Sequence, residues 1–314
     1  MKVIDAHCDA LNRMMLRPDI DFHSSEHLDV TLERLVASGS AMQLFAVYLS
    51  ATLHSPGFRE VLQCIDYFYT KVLAHPQMRH IRYAGELAQA EAEGKIGAML
   101  TLEGVDGLMG DELYLRTVFQ LGVRCIGLTW NYANWAADGV KEPRQGGLTL
   151  KGRQFVKQCE ELGIILDVSH LTERGFWELA ELSPRPFIAS HSNALDIAPD
   201  PRNLSRAQIE AIRDRDGRIG LTFIPWLVDT TRPAVMTDLL RHIDYVASLG
   251  GGHILGFGSD FDGLSRKTEG LEHAGCFPAL AELLARHYDD DFVRGLLYEN
   301  WRTFFERSLP VSVI

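Results

Sequence analysis

The chain lacks the features that mark several large classes of protein. Among its 314 residues no apolar run approaches the roughly 18 residues that a membrane-spanning helix requires, so we expect no membrane-embedded segment. A net charge of −11, without any basic run, argues against a nucleic-acid partner. The N-terminus has no secretory signal pattern, and the C-terminus has no lipid-anchor signal. These absences predict a cytoplasmic protein.

Cysteine is scarce and scattered, which argues against a disulfide framework and against a cysteine-based metal site. No Cys-x-x-Cys pair occurs, and the five cysteines lie far apart at Cys8, Cys64, Cys125, Cys159 and Cys276. An odd, scattered set is typical of reduced thiols. Cys8 stands between His7 and Asp9, but alternate residues of an extended strand point to opposite faces. We therefore expect Cys8 to be structural.

Eight continuous apolar runs predict parallel strands, because strands that are covered on both faces read as unbroken apolar stretches. The runs span residues 2–6, 41–49, 96–102, 125–130, 163–168, 186–190, 219–224 and 254–259. Segments with helical periodicity separate them, which favours a single (β/α)8 TIM-type barrel domain over residues 1–314. The competing doubly wound sheet requires a glycine-rich turn after its first strand, where this chain has His7, Cys8 and Asp9.

The helical segments carry recognisable ends. They span residues 28–38, 58–73, 86–93, 112–121, 149–162, 173–182, 206–213, 237–249, 278–286 and 291–308. Several are followed by a glycine, the usual residue after a helix: Gly39, Gly94, Gly122, Gly163 and Gly250. Ser205 with Gln208 predicts a capping box. The glycine-rich stretch 131–147 is interpreted as an active-site loop rather than a domain boundary.

Acidic and imidazole side chains follow five of the predicted strands. They are His7 and Asp9 after the first strand, and Glu103, His170, His191 and Asp260 after four others. Because the active site of such a barrel lies at the carboxyl ends of its strands, these groups are predicted to converge. Nitrogen and carboxylate ligands suit Zn²⁺, with Mn²⁺, Co²⁺ or Fe²⁺ as substitutes. The pattern indicates a metal-dependent hydrolase.

Each of these residues alone has a simpler explanation. Asp9 could cap a turn, and a single histidine at a strand end is more often a hydrogen-bonded surface residue. Glu103 is harder to explain in this way, since a buried carboxylate without a partner is costly. Asp262 is interpreted as a turn residue. Five histidines lie outside the pattern, in or beside helices or before a strand, and are expected to be structural or solvated: His75, His80, His242, His253 and His287.

Arg202 lies eleven residues after His191, on the loop that leaves the same predicted strand. A guanidinium in this place could bind a substrate carboxylate through two parallel hydrogen bonds. The alternative is an ordinary surface ion pair, and the spacing does not decide between the two.

Taken in order, these segments resemble the membrane (renal) dipeptidases, a branch of the metal-dependent amidohydrolase barrels. The matching segments are Asp5-Ala6-His7-Cys8-Asp9, Leu102-Glu103-Gly104, Asp167-Val168-Ser169-His170, Ser190-His191-Ser192, Arg202-Asn203-Leu204 and Gly258-Ser259-Asp260-Phe261-Asp262-Gly263, and the closing region 277–305 is also similar. The resemblance implies two zinc ions, with His7 and Asp9 on one, His170 and His191 on the other, and Glu103 bridging them. It also implies that Arg202 holds the carboxylate of a dipeptide and that Asp260 lies near the metal-bound water and the substrate amine.

One position departs from the family. Animal members have a catalytic histidine after a Leu-Thr pair, whereas this chain has Trp130 in Leu128-Thr129-Trp130-Asn131. Trp130, Asn131 or Asn134 could replace the missing hydrogen-bond donor, and Trp130 and Asn131 are assigned to substrate binding. The form with tryptophan is similar to bacterial relatives, so we interpret it as a subgroup feature that affects rate and substrate preference.

Three functions follow from this reading. The favoured one is zinc-dependent hydrolysis of dipeptides with a free C-terminal carboxylate, including D-residue dipeptides, by a hydroxide that bridges the two metals, with Asp260 and Glu103 as catalytic groups. The second keeps the metals but changes the substrate to a lactone, cyclic amide or phosphoester, since one fold hosts many hydrolyses. The third is a non-catalytic, metal-stabilised barrel that binds peptides. The family resemblance also suggests a homodimer.

Overall fold

The computed structural model describes residues 2–49 and 57–311, and its strands are all parallel. They are β1 (Val3–Asp5), β2 (Ser40–Tyr48), β3 (Met78–His80), β4 (Ile96–Glu103), β5 (Val123–Gly127), β6 (Ile165–Asp167), β7 (Ile188–Ala189), β8 (Arg218–Leu221) and β9 (Leu255–Phe257). Eight of them close into a ring in the order β1, β2, β4, β5, β6, β7, β8 and β9, with β9 pairing back to β1. The predicted (β/α)8 barrel is therefore confirmed.

The ninth strand, β3, was not predicted, and it carries His80, which the sequence placed beside a helix. β3 pairs with the first half of β4, from Met78 opposite Ile96 to His80 opposite Ala98. On that flank of β4 the pairing with β5 begins only at Leu100. The strand has only three residues, of which Arg79 and His80 are polar. It therefore contains no apolar run that the sequence pattern could reveal.

The helices surround the ring. They are α1 (Ala10–Leu16), α2 (Leu32–Ser38), α3 (Phe58–Tyr67), α4 (Glu86–Ala92), α5 (Glu112–Gln120), α6 (Leu150–Leu162), α7 (Glu173–Leu182), α8 (Arg206–Asp214), α9 (Pro225–Val228), α10 (Leu239–Ser248), α11 (Phe277–Ala285), α12 (Asp290–Arg294) and α13 (Asn300–Ser308). Two π-helical turns, Phe68–Val72 and Gly295–Glu299, lie inside the predicted segments 58–73 and 291–308. Nothing in the described ranges is long and apolar enough, as a helix, to cross a membrane.

Most helix ends follow the sequence signals, but the start of α2 does not. The five predicted terminal glycines all have positive φ, and Ser205 and Gln208 form the predicted capping box. Helix α2 begins at Leu32 and not at residue 28, because the Thr31 side chain accepts a hydrogen bond from the Arg34 amide and so ends the preceding extended segment. The short helices α1 and α9 were not predicted.

The loop between β5 and α6 lies over the carboxyl ends of the strands. The Asn134 amide holds it together, since its Nδ2 donates to Leu128 O and its Oδ1 accepts from Ala136 N. The Val140 amide donates to the carbonyl of His170 at 2.7 Å, which fixes the loop against the end of β6. The predicted active-site loop is thus bonded directly to a residue of the proposed site.

Candidate metal centre

Glu103 lies at the centre of a buried cluster of imidazole and carboxylate groups. It is the last residue of β4, and its two oxygens face different neighbours. Oε1 is 2.9 Å from His170 Nε2 and 3.5 Å from His191 Nε2. Oε2 is 3.4 Å from His7 Nε2. One carboxylate therefore joins histidines from three different strand ends.

Asp9 and Asp260 complete the side of the cluster that contains His7. His7 Nε2 lies 3.6 Å from Asp260 Oδ1 and 3.9 Å from Asp9 Oδ2. Three overlapping groups of ligand atoms, each within 4.8 Å of one another, result: His7 with Asp9 and Glu103, His7 with His191 and Asp260, and Glu103 with His170 and His191. The structure brings together all six acidic and imidazole side chains that the sequence singled out.

The backbone after β1 explains why His7 and Asp9 share a site and Cys8 does not. Cys8 makes a parallel bridge to Phe261, and the Asp9 amide donates to Phe261 O at 2.8 Å. The extended chain thus continues past β1, and alternate residues take opposite sides. Cys8 is fully buried and belongs to none of the ligand groups, in agreement with a structural role.

Hydrogen bonds fix the rings of His170 and His191. His170 Nδ1 lies 3.0 Å from Asn131 Oδ1, so the ring nitrogen donates to this acceptor. His191 Nδ1 lies 2.7 Å from Ser190 Oγ, whose own proton is donated to the buried carboxylate of Asp167. With both Nδ1 atoms protonated, each Nε2 carries a lone pair directed at the cluster.

With Nδ1 protonated in both rings, no other side chain of the described residues donates a hydrogen bond to these lone pairs. His170 Nε2 and His191 Nε2 lie 3.0 Å apart. Burial lowers the pKa of His170 to about 3, and that of His191 well below its ordinary value, so neither ring supplies a positive charge. Two neutral acceptor nitrogens and a carboxylate oxygen in contact repel one another unless a cation lies among them.

The side of the cluster that contains His7 and Asp9 also favours a bound cation. His7 Nε2 and Asp9 Oδ1 are buried, and neither has a hydrogen-bond partner among the described residues. Burial opposes a charge on His7, but the carboxylate of Glu103, helped by Asp9 and Asp260, outweighs it and raises the pKa of His7 to about 10. A proton on His7 is therefore the protein's own substitute for a missing positive charge. The donor set and the unsatisfied atoms fit divalent metal ions.

Asp260 has a different environment from Glu103. Burial raises the pKa of Asp260 to about 6, against the opposing charge of His7. The charge of His7 overrides burial at Glu103 and holds the pKa of that carboxyl well below its usual range. Gly263 leaves room for this arrangement, since a Cβ at that position would lie 2.5 Å from Asp260 Oδ1 and 2.6 Å from Asp9 Oδ2. Two buried carboxyls with such different pKa values are suited to different tasks.

Arg202 is not part of a surface ion pair. Its side chain is buried, with 6% of the residue exposed, and its guanidinium donates to Ser192 Oγ at 3.1 Å and to His191 O at 3.0 Å. The third nitrogen, Nε, is buried and has no hydrogen-bond partner within residues 2–49 and 57–311. The two bonds hold the guanidinium beside the backbone of His191, where Arg202 borders the central cavity.

The cavity above the cluster has a volume of about 260 Å³, which suits a ligand at or below the size of a small drug molecule. The polar side chains that line it are Asp9, Glu103, Asn131, Lys141, His170, Arg202 and Asp260. Its walls are largely apolar and aromatic and comprise Tyr48, Trp130, Ile224, Trp226, Leu227 and Leu264. The ring of Trp130 packs against Tyr48, with centroids 5.4 Å apart.

The sequence offered three residues as a replacement for the hydrogen-bond donor that the family has at position 130, and their contacts distinguish between them. Trp130 and Asn131 border the cavity. Asn134 does not border it, because its amide is consumed inside the loop by Leu128, Asp106 and backbone amides. Asn134 is therefore removed from the set of possible substrate contacts.

Some supporting residues were missed by sequence reasoning. Asp167 accepts hydrogen bonds from the amides of Ser169 and Ser190 and links β6 to the end of β7. Asp5 does the same at the β1 and β9 junction, where it accepts from the Ser259 amide at 2.7 Å and from Ser259 Oγ at 2.6 Å. The signal was present, since each is a lone carboxylate inside an apolar strand, where an unpartnered charge is costly.

The chain is similar to several known proteins. A family model described as membrane dipeptidase (peptidase family M19) matches residues 1–307. The chain is similar to dipeptidase tcpJ of Claviceps purpurea (strain 20.1), with 27% identity over 318 residues, covering 94% of this chain and 74% of the relative.

Two solved structures are similar over almost the whole chain. A metallo peptidase from Rhodobacter sphaeroides, liganded with a phosphinate mimic of the dipeptide L-Ala-D-Ala, has a TM-score of 0.90 at 28% identity, with 98% of this chain and 99% of that chain covered. A second, a metallo peptidase of family M19 named dipeptidase AC, has a TM-score of 0.91 at 30% identity, with the same coverage.

Proposed function

Because the chain belongs to the membrane dipeptidase family, peptidase family M19, we propose that it is a zinc-dependent enzyme that hydrolyses dipeptides with a free C-terminal carboxylate. Metal-dependent dipeptide hydrolysis is the activity that the family and its structures support. The convergence of His7, Asp9, Glu103, His170 and His191 carries the proposal for this chain. We include dipeptides with a C-terminal D-residue, because the similar R. sphaeroides enzyme binds a mimic of one.

We assign two zinc ions to the cluster. His7 and Asp9 would hold one ion, His170 and His191 the other, and Glu103 would contribute to both sites. Zinc bound there would supply Lewis acidity at the scissile carbonyl and would lower the pKa of water in the site. Two observations support this assignment: His7 Nε2 and Asp9 Oδ1 have no hydrogen-bond partner among the described residues, and the Nε2 atoms of His170 and His191 lie 3.0 Å apart.

Arg202 binds the C-terminal carboxylate in this proposal. Its guanidinium is pre-oriented by Ser192 and His191, so little side-chain entropy is lost when the substrate binds. A buried cation that borders a cavity and has an unpartnered nitrogen requires an anion to complete its hydrogen bonding. A dipeptide with a free C-terminus supplies that anion, whereas an ester or a lactone does not.

Asp260 moves the proton. A carboxyl with a pKa raised to about 6 accepts a proton near neutral pH and gives it up again readily. At the edge of the cluster, 3.6 Å from His7, its Oδ1 is positioned to pass a proton to the departing amine. Glu103, with its low pKa, stays ionised and provides the charge that organises the cluster.

Trp130 and Asn131 contribute the substrate contacts near the loop. Trp130 forms an aromatic wall with Tyr48 against which a substrate side chain packs. Asn131 Oδ1 is occupied by His170, which leaves the Nδ2 amide as the group available to substrate.

The central experiment combines metal analysis with an activity assay on the purified protein. We expect about two zinc ions per chain, activity on L,L and L,D dipeptides that is lost on chelation, and recovery when Zn²⁺ is added. Lactones and aryl phosphoesters tested in parallel should react poorly. Turnover of these compounds without turnover of any dipeptide, or two bound metals without turnover of any compound, contradicts the proposal.

A substitution tests the carboxylate contact separately. Arg202→Ala should raise KM for dipeptides by about 100-fold, since a charged bidentate hydrogen bond is lost. Arg206→Ala, at an exposed arginine paired with Glu210 on helix α8, serves as the control for removal of a guanidinium. An unchanged KM in Arg202→Ala would remove Arg202 from the substrate site.

A further inference from the structure

Lys141 borders the same cavity as Arg202, on the loop between β5 and α6. The backbone at this point is held firmly to the site: the Lys141 amide donates to Asn131 O at 2.8 Å, and the preceding amide of Val140 donates to His170 O at 2.7 Å. Both acceptors belong to residues of the proposed site. The backbone that carries Lys141 is therefore fixed by hydrogen bonds to two residues of the proposed site.

The ammonium group of Lys141 has no ion-pair partner in the part of the chain that the structure describes. Among the residues that the structure describes, no carboxylate lies within ion-pair distance of its ammonium group. The other cation of the loop, Arg144, is committed to Asp138 through two hydrogen bonds of 2.7 and 2.5 Å. The carboxylate next in sequence, Glu142, accepts from the amide of Ala133. The loop thus contains one structural cation and one unpaired cation.

The cavity consequently has two cations of different character. Arg202 is buried and held by two hydrogen bonds, whereas Lys141 is exposed at the entrance. A dipeptide with neutral side chains carries one carboxylate and occupies only Arg202 under the proposed function. The walls contributed by Tyr48, Trp130 and Trp226 offer a second carboxylate no further charge.

We propose that Lys141 forms a second anion subsite and that the preferred substrates are acidic dipeptides, in which one residue is aspartate or glutamate. This inference rests on the proposed function. A neutral substrate leaves the exposed ammonium hydrated at no cost, while an acidic side chain gains an ion pair at the rim. Since the pair is partly exposed, its contribution is moderate and falls as salt is added.

The test compares matched pairs of dipeptides that differ only in charge: Ala-Glu with Ala-Gln, and Glu-Ala with Gln-Ala, using the zinc-loaded full-length enzyme. Wild type should show a kcat/KM for the acidic member about fivefold to tenfold higher, mainly through KM. Lys141→Met should remove this preference and change the neutral members by less than about twofold. Lys141→Glu should invert it. The preference should shrink between about 0.05 and 0.5 M NaCl.

Lys157→Met is the matched control, because Lys157 is an exposed lysine of helix α6 that lies outside the cavity. It should keep the preference of wild type. Equal rates for both members of each pair in wild type overturn the inference, and so does a uniform loss of kcat in Lys141→Met, which would indicate a role in the chemical step. Failure of wild type to hydrolyse any dipeptide refutes the proposed function instead, so the two failures are distinguishable.

Discussion

The two halves of the cluster are held in different ways. On the side of His170 and His191, each ring is fixed by a hydrogen bond that its Nδ1 donates, to Asn131 Oδ1 and to Ser190 Oγ respectively. On the side of His7 and Asp9, the candidate ligand atoms His7 Nε2 and Asp9 Oδ1 are buried and have no hydrogen-bond partner in the described part of the chain. Both halves favour a cation, but only the half of His170 and His191 has its rings oriented by these side-chain hydrogen bonds.

The same contrast is found one layer deeper, at two buried carboxylates that each bind a serine. Asp167 is linked through the Ser190 hydroxyl to the ring of His191. Asp5 is linked through the Ser259 hydroxyl, which also donates toward the backbone oxygen of His7 at 3.1 Å and not to its ring. One serine orients a ligand, whereas the other supports only the chain that carries a ligand. Equivalent chemistry thus has unequal consequences for metal binding.

The largest effect is expected where the halves meet. Glu103→Gln removes the charge shared by both sides and should lower kcat/KM by about 1,000-fold, equivalent to about 4 kcal/mol, with loss of tightly bound metal. Steady-state kinetics and metal analysis on the same preparations measure this. Glu112→Gln, at an exposed glutamate paired with Arg116, should leave both unchanged. Full metal content in Glu103→Gln would show that the halves bind independently.

The second prediction concerns the half without partners. Burial raises the pKa of Asp9 well above its usual range, and the charge of Glu103 adds to this effect. The unfolded chain then loses the Asp9 proton at a lower pH than the folded one. The stability of the metal-free fold therefore falls as pH rises from the usual carboxyl pKa toward the raised value. At pH 8 without metal, Asp9→Asn should therefore be more stable than wild type by about 1–3 kcal/mol.

Metal should reverse this order. Zinc at about 100 times its dissociation constant adds about 2.7 kcal/mol to wild type, and much less to Asp9→Asn, because one ligand is lost. Denaturant unfolding with and without chelator measures both differences. Asp19→Asn, an exposed aspartate paired with Arg17, is the control. An order of stability that is the same in both conditions would contradict the contrast between the halves.

The third prediction compares the two serines directly. Ser190→Ala should weaken zinc binding by about 10- to 100-fold, because the ring of His191 loses the acceptor that fixes its orientation. Ser259→Ala should cost about 1 kcal/mol of folding stability with little change in zinc affinity. Competition with a metal-binding dye and denaturant titration report the two quantities. Equal losses of affinity in both variants would abolish the distinction.

The smallest effect concerns a buried histidine outside both halves. His242 accepts from the Ala194 amide at Nδ1 and donates from Nε2 to Val228 O. Burial lowers its pKa from 6.5 to about 4, so the folded state binds fewer protons than the unfolded state in that window, and stability falls as pH drops from 6.5 toward 4. His242→Gln should reduce this loss by about 1 kcal/mol in pH-dependent unfolding. If the pH dependence of unfolding is the same in this variant as in wild type, groups other than His242 cause the loss of stability.

Much of this architecture was accessible from the sequence, for physical reasons. Strands buried on both faces must be continuously apolar, and a charged group at the end of such a run, as at Glu103, requires a partner or a metal. The eight barrel strands and the six acidic and imidazole groups followed from these two facts. The short elements α1, α9 and β3 did not, because a few residues do not establish a period.

The supporting contacts could not be predicted in the same way. Whether Ser190 bonds a ring or a backbone group depends on rotations at the ends of β6 and β7, which no spacing encodes. The exposed Lys141 likewise looks like any surface lysine in the sequence. Its importance arises only from the two backbone hydrogen bonds that fix the loop beside His170 and Asn131.

Asp260 adopts a left-handed backbone conformation, with φ of 62°, and it is also a buried carboxyl. An L-residue in that conformation costs roughly 1–2 kcal/mol relative to glycine. Under the proposed function, stability and turnover therefore favour different residues at this position. Selection for thermostability alone would favour glycine here, at the expense of the proposed proton transfer.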